Sequence, residues 1–353
     1  MNIEPATILI SPEFDNKTLA AILKQQVANR SWSQIHRLIE TRRVQIDDSL
    51  CLDPARRVHI GETVQILAQP VRIAAGSQAT DIKIRHLDDH LVVVEKIAGL
   101  NTVRHPKERQ WDERRRELSP TLEDRVQQAI RLALKEKSLP RLRIVHRLDK
   151  ETSGLVVFAR SVLSERILGK QFHDHTVLRR YIAIVPGRFA SQTLTSWFIR
   201  DRGDGKRGSS ITPGNGKKAV THVEVLEYLP RYTVLSCRLE TGRTHQIRIH
   251  LAEAGHPVCG DRVYGKPDST NSPQTDRIDH LPGKLPSRAI TPRKMEPMKD
   301  ALLEDIPPRL ALHASELGFI HPETGTSCFW EMPLPEDLTN FLHRLRKPSL
   351  KSK

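Results

Sequence analysis

Apolar residues recur at helical spacing in two early stretches and then change to the twofold alternation of strands. In "NKTLAAILKQQ" and "SWSQIHRLIE" the apolar positions repeat about every 3.6 residues. The second stretch runs through Trp32, Ile35, Leu38 and Ile39, with Ser31 placed as its N-cap. Two short strands follow, "RVQIDD" and "ETVQIL", with Gly61 turning between them. Residues 1–75 therefore read as a small α/β unit of their own, and "AAGSQAT", 74–80, reads as a linker.

Beyond the linker, "IKIRHL" and Leu91–Val94 predict two strands joined by an acidic turn. In "TLEDRVQQAIRLALKEK" an apolar stripe through Leu122, Ala129, Ile130 and Leu134, without Val126, predicts a helix. It lies inside a charge-rich stretch, 104–140, expected to be a surface insertion. "SVLSERILGKQF" is a second helix, capped by Ser161 and apolar at Leu163, Ile167, Leu168 and Phe172. The runs "YIAIVPG", "AVTHVEVLEYL" and "YTVLSCRLE" then read as successive strands, whose short connections favour an antiparallel sheet. In "LETGRTHQIRIHLAEAGHPVCGDRVYG", residues 239–265, a strand ends and Thr244 caps a helix with a stripe of Ile247, Leu251 and Ala254, stopped by Gly255. Residues 265–308 show no periodicity and read as a long loop, and 346–353 as a basic tail. The fold class is α+β: a mainly antiparallel domain over 82–345 with flanking helices, interrupted near 104–140 and 265–308, behind the small α/β module.

Charge narrows the partner. The chain has 353 residues, 56 Lys and Arg against 42 Asp and Glu, and a net charge of +14, which points to a polyanion. No run approaches the ~18 apolar residues of a spanning helix, and the opening "MNIEPATILISPEFD" lacks the basic start of a secretory signal. Nucleic acid is thus expected rather than a membrane. Four cysteines, Cys51, Cys237, Cys259 and Cys328, form no close pair, which suits a reducing cytoplasm. A zinc site from Cys237, His245, His256 and Cys259 would match no common ligand spacing, so no metal is expected.

Two polar segments carry candidate chemistry. "HRLDKETSG", 146–154, sets one acid, Asp149, between Arg147 and Lys150 with His146 close by, flanked by the apolar runs "RLRIV" and "LVVFAR". Alone it describes a solvated loop with local ion pairs. In the second segment Arg248 adjoins the apolar stripe of its helix, and a buried guanidinium left unpaired costs about 3–5 kcal/mol. It therefore demands a partner, while Arg243 can stay at the surface and face phosphate.

Taken together, "HRLDKETSG" and "TGRTHQIRIHLAEAGHPVCGDRVYG" resemble the RluA-type pseudouridine synthases. "VVVEKIAGLNTVRHP", "RRYIAIVPG" and "RLALHASELGFIHPETG" are similar to further segments of that family, in the family's order. The first 75 residues, two helices followed by "RRVQIDD" and "GETVQI", resemble the S4 RNA-binding domain, in which Arg30, Arg37, Arg42 and Arg43 would lie against RNA.

The resemblance implies an isomerase that moves the uracil–ribose bond from N1 to C5 and needs no cofactor. It makes Asp149 the essential carboxylate, Arg248 its partner, Tyr181 the residue packed on the target base and a candidate for taking the C5 proton, and Leu312 a pocket wall. Arg147 would fill the space left by an extruded uridine, His146 would shape the turn, and Arg243 and Lys96 would contact substrate. Asp149 has to be ionised in a partly dry pocket, which an adjacent guanidinium favours. One departure is visible: the family's Lys-Pro-Ala-Gly is here Lys96-Ile97-Ala98-Gly99, and loss of the proline relaxes that turn. The expected partner is structured RNA, ribosomal before transfer RNA, and the expected state a cytoplasmic monomer. The rival readings are a non-catalytic, ribosome-associated RNA-binding protein on the same fold, and a nucleosidase that releases free base.

Overall fold

The structure is a computed structural model of the chain. It describes residues 5–27, 30–47, 49–70, 82–111, 116–117, 119–135, 140–202, 206–210, 212–265 and 307–346. The expected linker at 74–80, nearly all of the expected loop at 265–308 and the tail after Arg346 lie outside them. The chain divides into two units: Met1–Thr80 with Pro106–Pro120, and Asp81–His105 with Thr121–Lys353.

In the first unit β1 (Ala6–Leu9) precedes α1 (Leu19–Gln26) and α2 (Trp32–Glu40), and β2 (Val44–Ile46), β3 (Ser49–Leu50) and β4 (Thr63–Ile66) complete a sheet of order β1-β4-β2-β3. Ser31 caps α2 as its sequence predicts, reinforced by Gln34: Ser31 Oγ accepts from the Gln34 amide at 3.2 Å and Gln34 Oε1 from the Ser31 amide at 2.8 Å. Ile35, Leu38 and Ile39 are buried with Leu19, Ile22, Leu23, Val44 and Val64. Trp32 is exposed, because the apolar spacing runs one turn past the surface that the helix covers. Strands β1 and β3 were not legible: the side chains of β1 are mostly exposed and β3 is two residues long.

The second unit is built on one large sheet. Its strands, in chain order, are β5 (Ile84–Leu87), β6 (Leu91–Lys96), β7 (Arg143–Ile144), β8 (Ser153–Ala159), β9 (Leu178–Pro186), β10 (Gln192–Ile199), β11 (Gly208–Ser210), β12 (Lys217–Tyr228), β13 (Tyr232–Leu239), β14 (Leu312–Ile320) and β15 (Ser327–Glu331). The spatial order is β11-β10-β12-β13-β9-β14-β8-β6-β5, with β15 on β14 and β7 on β8. Every described pairing in this sheet is antiparallel except β8 with β14, where Ser153 lies opposite His313 and Gly154 opposite Ala314. A side chain at Gly154 (φ 130°) would collide with the Ala314 backbone, so the last residue of "HRLDKETSG" must be glycine for these strands to meet.

Among the described residues four helices flank the sheet: α3 (Leu122–Leu134), α4 (Val162–His173), α5 (Gln246–Glu253) and α6 (Glu336–Arg346). The expected stripe of α3 needs correction. Leu122, Val126 and Ile130, spaced by four, enter the main core, while Leu134 is exposed. This helix is therefore a core element rather than part of a surface insertion, and of its charged residues Asp124 and Arg131 are exposed while Glu123 and Arg125 are half-buried. In α4, Ser161 caps as expected and Leu168 is buried, but Leu163 faces out. Helix α6, which packs Leu338, Phe341, Leu342 and Leu345 against the same core, was not read as an element from the sequence.

Candidate active site

A cavity of about 480 Å³ opens between four pieces of the second unit: the β7–β8 loop with His146, Arg147 and Asp149; strand β9 with Arg179 and Tyr181; the β13–α5 junction with Arg243, His245 and Arg248; and Leu312 on β14. Seven of the eight residues singled out from the sequence meet here. The eighth, Lys96, does not.

Lys96 is completely buried and its ammonium donates to three carbonyls, of Ile97 (3.0 Å), Lys150 (2.8 Å) and Thr152 (2.7 Å). The substrate-binding expectation for it is therefore corrected. It ties the loop that carries Asp149 to the end of β6. The Gly99 amide joins it on Lys150 O at 2.9 Å, and Thr102 Oγ1 donates to Leu148 O at 2.7 Å. Hydrogen bonds thus fix the turn that Ile97, in place of the family's proline, leaves covalently free. Burial pushes the Lys96 ammonium down to about 7, against the pull of Glu151 and Asp149.

At the other end of the loop, His146 stacks on Phe172, ring centres 4.6 Å apart, and its Nε2 accepts from the Val157 amide at 3.0 Å. Burial, aided by the charge of Arg179, pushes it down to about 3, so it stays neutral and serves as a wedge in the turn. Arg147 beside it is exposed at the pocket.

The Asp149 carboxylate, 19% exposed, meets Arg248 Nη1 with Oδ2 at 3.4 Å and lies 3.8 Å from His245 Nε2 at Oδ1. Yet Arg248 has a stronger partner that the sequence reading did not identify. Its Nε and Nη2 donate to Asp261 at 2.7 and 2.9 Å, and Asp261 also accepts from the amides of Val263 (2.9 Å) and Tyr264 (3.0 Å). Burial by itself would raise the Asp261 carboxyl; the bonds and charge of Arg248 outweigh it and hold the group below its ordinary range. The sequence did contain a signal: "GDRVYG" puts an acid thirteen residues beyond an arginine that needed a counterion. Asp261 satisfies the charge and fixes the plane of the guanidinium, which leaves Nη1 to face Asp149.

Helix α5 starts differently from expectation. Thr244 does not cap it; His245 occupies the N-cap in the left-handed region (φ 59°), without a side-chain cap bond. The start is anchored by Gln246, whose Oε1 accepts from Thr241 Oγ1 (2.8 Å) and the Arg243 amide (3.0 Å), while Nε2 donates to Val220 O and Thr221 Oγ1, both at 2.9 Å. All four hydrogen-bonding positions of the amide are used. The left-handed turn sends the His245 ring toward Tyr264, whose hydroxyl is 2.9 Å from Nδ1. Arg243 sits at the rim and donates from Nε to Lys218 O at 3.1 Å.

Tyr181 and Leu312, on adjacent strands, are 8% and 4% exposed. Burial pushes the Tyr181 phenol up to about 12; Arg179 opposes this and Asp149 adds to it. Such a phenol is protonated near neutral pH, which suits an aromatic wall better than a base. The four residues of the imagined zinc set have other engagements. Cys237 is buried and Cys259 half-buried, and burial pushes both thiols up to about 12; His256 Nδ1 donates to Pro186 O at 2.7 Å, and His245 faces Tyr264. A different cluster, His86, Asp88 and His321, has metal-ligand residue types in one place. Since His321 Nδ1 accepts from the amides of Glu323 and Thr324, its Nε2 carries the proton and donates to Asp88 at 2.9 Å, a strut between two turns.

Chemically, the pocket offers one carboxylate beside a fixed cation, under an aromatic and aliphatic wall with a basic rim. That set can bind a planar base and present an oxyanion to an electron-poor carbon.

The sequence model of the family described as RNA pseudouridylate synthase matches residues 90–253. The ribosomal large subunit pseudouridine synthase D of Nitrosomonas europaea is 34% identical over 328 residues, 92% of this chain and 83% of that protein. Its counterpart of the same name from Pseudomonas aeruginosa is 33% identical over 338 residues, 95% and 94% of the two chains. The solved structure of human RNA Pseudouridylate Synthase Domain Containing 4, 23% identical, superposes with a TM-score of 0.53 and covers 74% of this chain and 92% of its own, which shows the shared fold. Identity of this level along nearly the whole length, on the same fold, goes beyond a shared architecture: the chain belongs to the RNA pseudouridine synthases of the RluA type.

Proposed function

We propose that this enzyme makes pseudouridine in ribosomal RNA of the large subunit, with Asp149 as the catalytic carboxylate. The curated relatives' names support the substrate, and transfer RNA is the second choice. The observation that carries the reading is the arrangement of Asp149, Arg248 and Asp261 at a cavity large enough for a nucleoside.

The reaction breaks N1–C1′, turns the base, forms C5–C1′, removes the C5 proton and protonates N1. Asp149 supplies the anion that attacks or stabilises the electron-poor carbon. Arg248, fixed by Asp261, sets its position. Tyr181 stacks on the uracil and Leu312, on the neighbouring strand, lines the wall beside it. A stacked uridine must first leave the helix, which costs a few kcal/mol and least in a loop, and Arg147, exposed on the Asp149 loop, enters the vacated space. His146 shapes that loop. Arg243 at the rim meets the backbone phosphates.

Residues 1–75 act in this reading as an S4-like RNA-binding module with Arg37 exposed on α2, ahead of a catalytic domain over 82–345. The protein works as a monomer in the cytoplasm. Each phosphate contact adds a log–log salt slope of about −0.7 for single-stranded RNA.

The test is pseudouridine mapping on total RNA from a deletion strain complemented with wild type or with Asp149→Asn. Specific sites should vanish on deletion and return with wild type alone. Return with the variant would remove Asp149 from catalysis, and no change at any ribosomal site would overturn the substrate assignment.

A further inference from the structure

Three other largely buried guanidiniums of the catalytic unit each hold a carboxylate: Arg248 with Asp261, Arg104 with Asp124 at 2.6 Å, and Arg309 with Asp337 at 2.6 Å. Arg179 breaks this rule. It lies on β9, is only 7% exposed, and lines the pocket. Among the described residues no carboxylate is within ion-pairing distance of it, and its Nε has no hydrogen-bond partner. Its one hydrogen bond, from Nη2 to the backbone oxygen of Glu240, is long at 3.4 Å. The Glu240 carboxylate is turned elsewhere, toward His222 Nε2 at 3.1 Å.

The surroundings hold this guanidinium in place without neutralising it. Phe172 lies under it at 5.6 Å, a contact that supports the plane of the group. Gly242 lies against its edge, where a Cβ would come within 2.5 Å of Nη1. Of the other titratable groups near this corner, His146 is held neutral, Tyr181 is held as a phenol, and His175 is lowered first by burial and then by the charges of Arg179 and Arg243, against the opposing pull of Glu240. A buried charge without a counterion is costly, and a neutral carbonyl would satisfy a donor without balancing the charge. The guanidinium therefore lacks a paired anion among the described residues.

Position says which anion. Arg179 and Tyr181 are two residues apart on one strand, so their side chains leave the same face about 6–7 Å apart. If Tyr181 lies under the uracil, Arg179 sits one base-to-phosphate reach away. We propose that Arg179, backed by Gly242, forms a phosphate subsite that takes the phosphodiester flanking the flipped uridine. This rests on the reading of the pocket as the site of uridine isomerisation. Arg147 and Arg243 contact RNA from exposed or rim positions; Arg179 meets its phosphate inside the pocket, and its charge is compensated only when the nucleotide is seated.

The experiment compares wild type with Arg179→Met, which keeps the length of the side chain and removes its charge. A merely structural arginine would lower the melting temperature on replacement. Here the ligand-free variant should melt at the wild-type temperature or above it. Inorganic phosphate, titrated against chloride of equal ionic strength, should raise the melting temperature of wild type and not of Arg179→Met, and Gly242→Ala should show a reduced response. The second arm measures affinity, without turnover, for a ribosomal RNA fragment carrying the mapped uridine. A methylphosphonate replaces its 5′ or its 3′ phosphate. At one of the two positions wild type should lose about tenfold in affinity, roughly one factor of ten in Kd, and Arg179→Met less than twofold.

Equal losses in both proteins would overturn the proposal. So would a phosphate response that survives in Arg179→Met, and so would a response to free phosphate without coupling to the methylphosphonate, since that describes an ion site and not an RNA subsite. Intact coupling in binding with no isomerisation by wild type would count against the activity reading alone and leave the subsite standing.

Discussion

Arg248 divides its guanidinium unequally between two acids, with bonds of 2.7 and 2.9 Å to Asp261 and a single contact of 3.4 Å to Asp149. The short pair is geometric: both oxygens of a fully buried carboxylate hold two nitrogens of the fork, which fixes the plane of the group. The longer contact leaves the second oxygen of Asp149 free of this arginine. In the role proposed for Asp149, a nearby cation serves better than a tight clamp on both oxygens.

Asp261→Asn should therefore damage the enzyme twice. It strands the Arg248 charge, which destabilises the fold by about 3–5 kcal/mol. It also frees the guanidinium to turn away from Asp149 and lowers turnover by about 100-fold, the scale of a misplacement near 1 Å. Urea unfolding and single-turnover assays read the two effects separately. Because Asp261 is held below its ordinary range, its stabilisation is present above the unfolded value and is lost as pH falls through the folded one. Wild-type activity in a variant that has lost the stability would remove Arg248 orientation from the mechanism.

Lys96 leaves a mark in the alkaline range. Its folded value of about 7 lies below the ordinary 10.5, so between the two the unfolded chain binds a proton that the folded chain does not. Stability from this group rises with pH across that window, by at most about 1.4 kcal/mol per unit. Lys96→Met should abolish the slope and also release the carbonyls of Ile97, Lys150 and Thr152, loosening the Asp149 loop. Denaturant melts from pH 7 to 10 check the first claim, and the rate of turnover at fixed pH checks the second.

Three histidines pushed down by burial should set the acid limit. Burial pushes His146 down to about 3 and His250 and His313 to about 4, with the charge of Arg179 adding at His146. The unfolded chain takes up protons near 6.5 that the folded chain refuses, so stability is lost as pH falls below that value. His250 is bonded to Ser196 Oγ (3.0 Å) and Thr221 Oγ1 (2.9 Å), and His250→Gln should flatten the acid limb while costing stability at neutral pH. An unchanged acid limb in that variant would assign acid unfolding to carboxylates instead.

For Tyr181, stacking and base chemistry separate cleanly. Tyr181→Phe should keep RNA affinity within about threefold, whereas Tyr181→Ala should lose about tenfold or more, since base–aromatic stacking is worth about 1–3 kcal/mol. With the phenol pushed up to about 12, the turnover of wild type should not climb between pH 7 and 9 on account of this group. Fluorescence titration of RNA with the two variants measures the first, and a pH–rate series the second.

The sequence by itself determined the elements and the neighbourhood of the site. Pattern was enough for α2 with its Ser31 cap and for α4, which repeat apolar residues at helical spacing, and for strands β6, β9, β12 and β13, whose short apolar and β-branched runs mark them as strands. It failed where burial does not follow a simple period: β1 is mostly exposed, and the stripe of α3 uses Val126 and leaves out Leu134. The motif segments also sufficed to bring His146, Arg147, Asp149, Tyr181, Arg243, Arg248 and Leu312 to one pocket.

Tertiary structure decided which of these groups face one another. Whether a buried charge is balanced depends on atoms far along the chain, and local patterning carries no information about them. Arg248 finds Asp261 thirteen residues away and Asp149 ninety-nine away. Lys96 turns its ammonium to carbonyls 54 and 56 residues away, not to the pocket. Arg179, which in the sequence is one basic residue beside another, is set among Phe172, Gly242 and Tyr181 with no acid to meet it among the described residues. The sequence supplied the charges; the crossing of β8 with β14 and the docking of α5 on β12 decided which of them were paired.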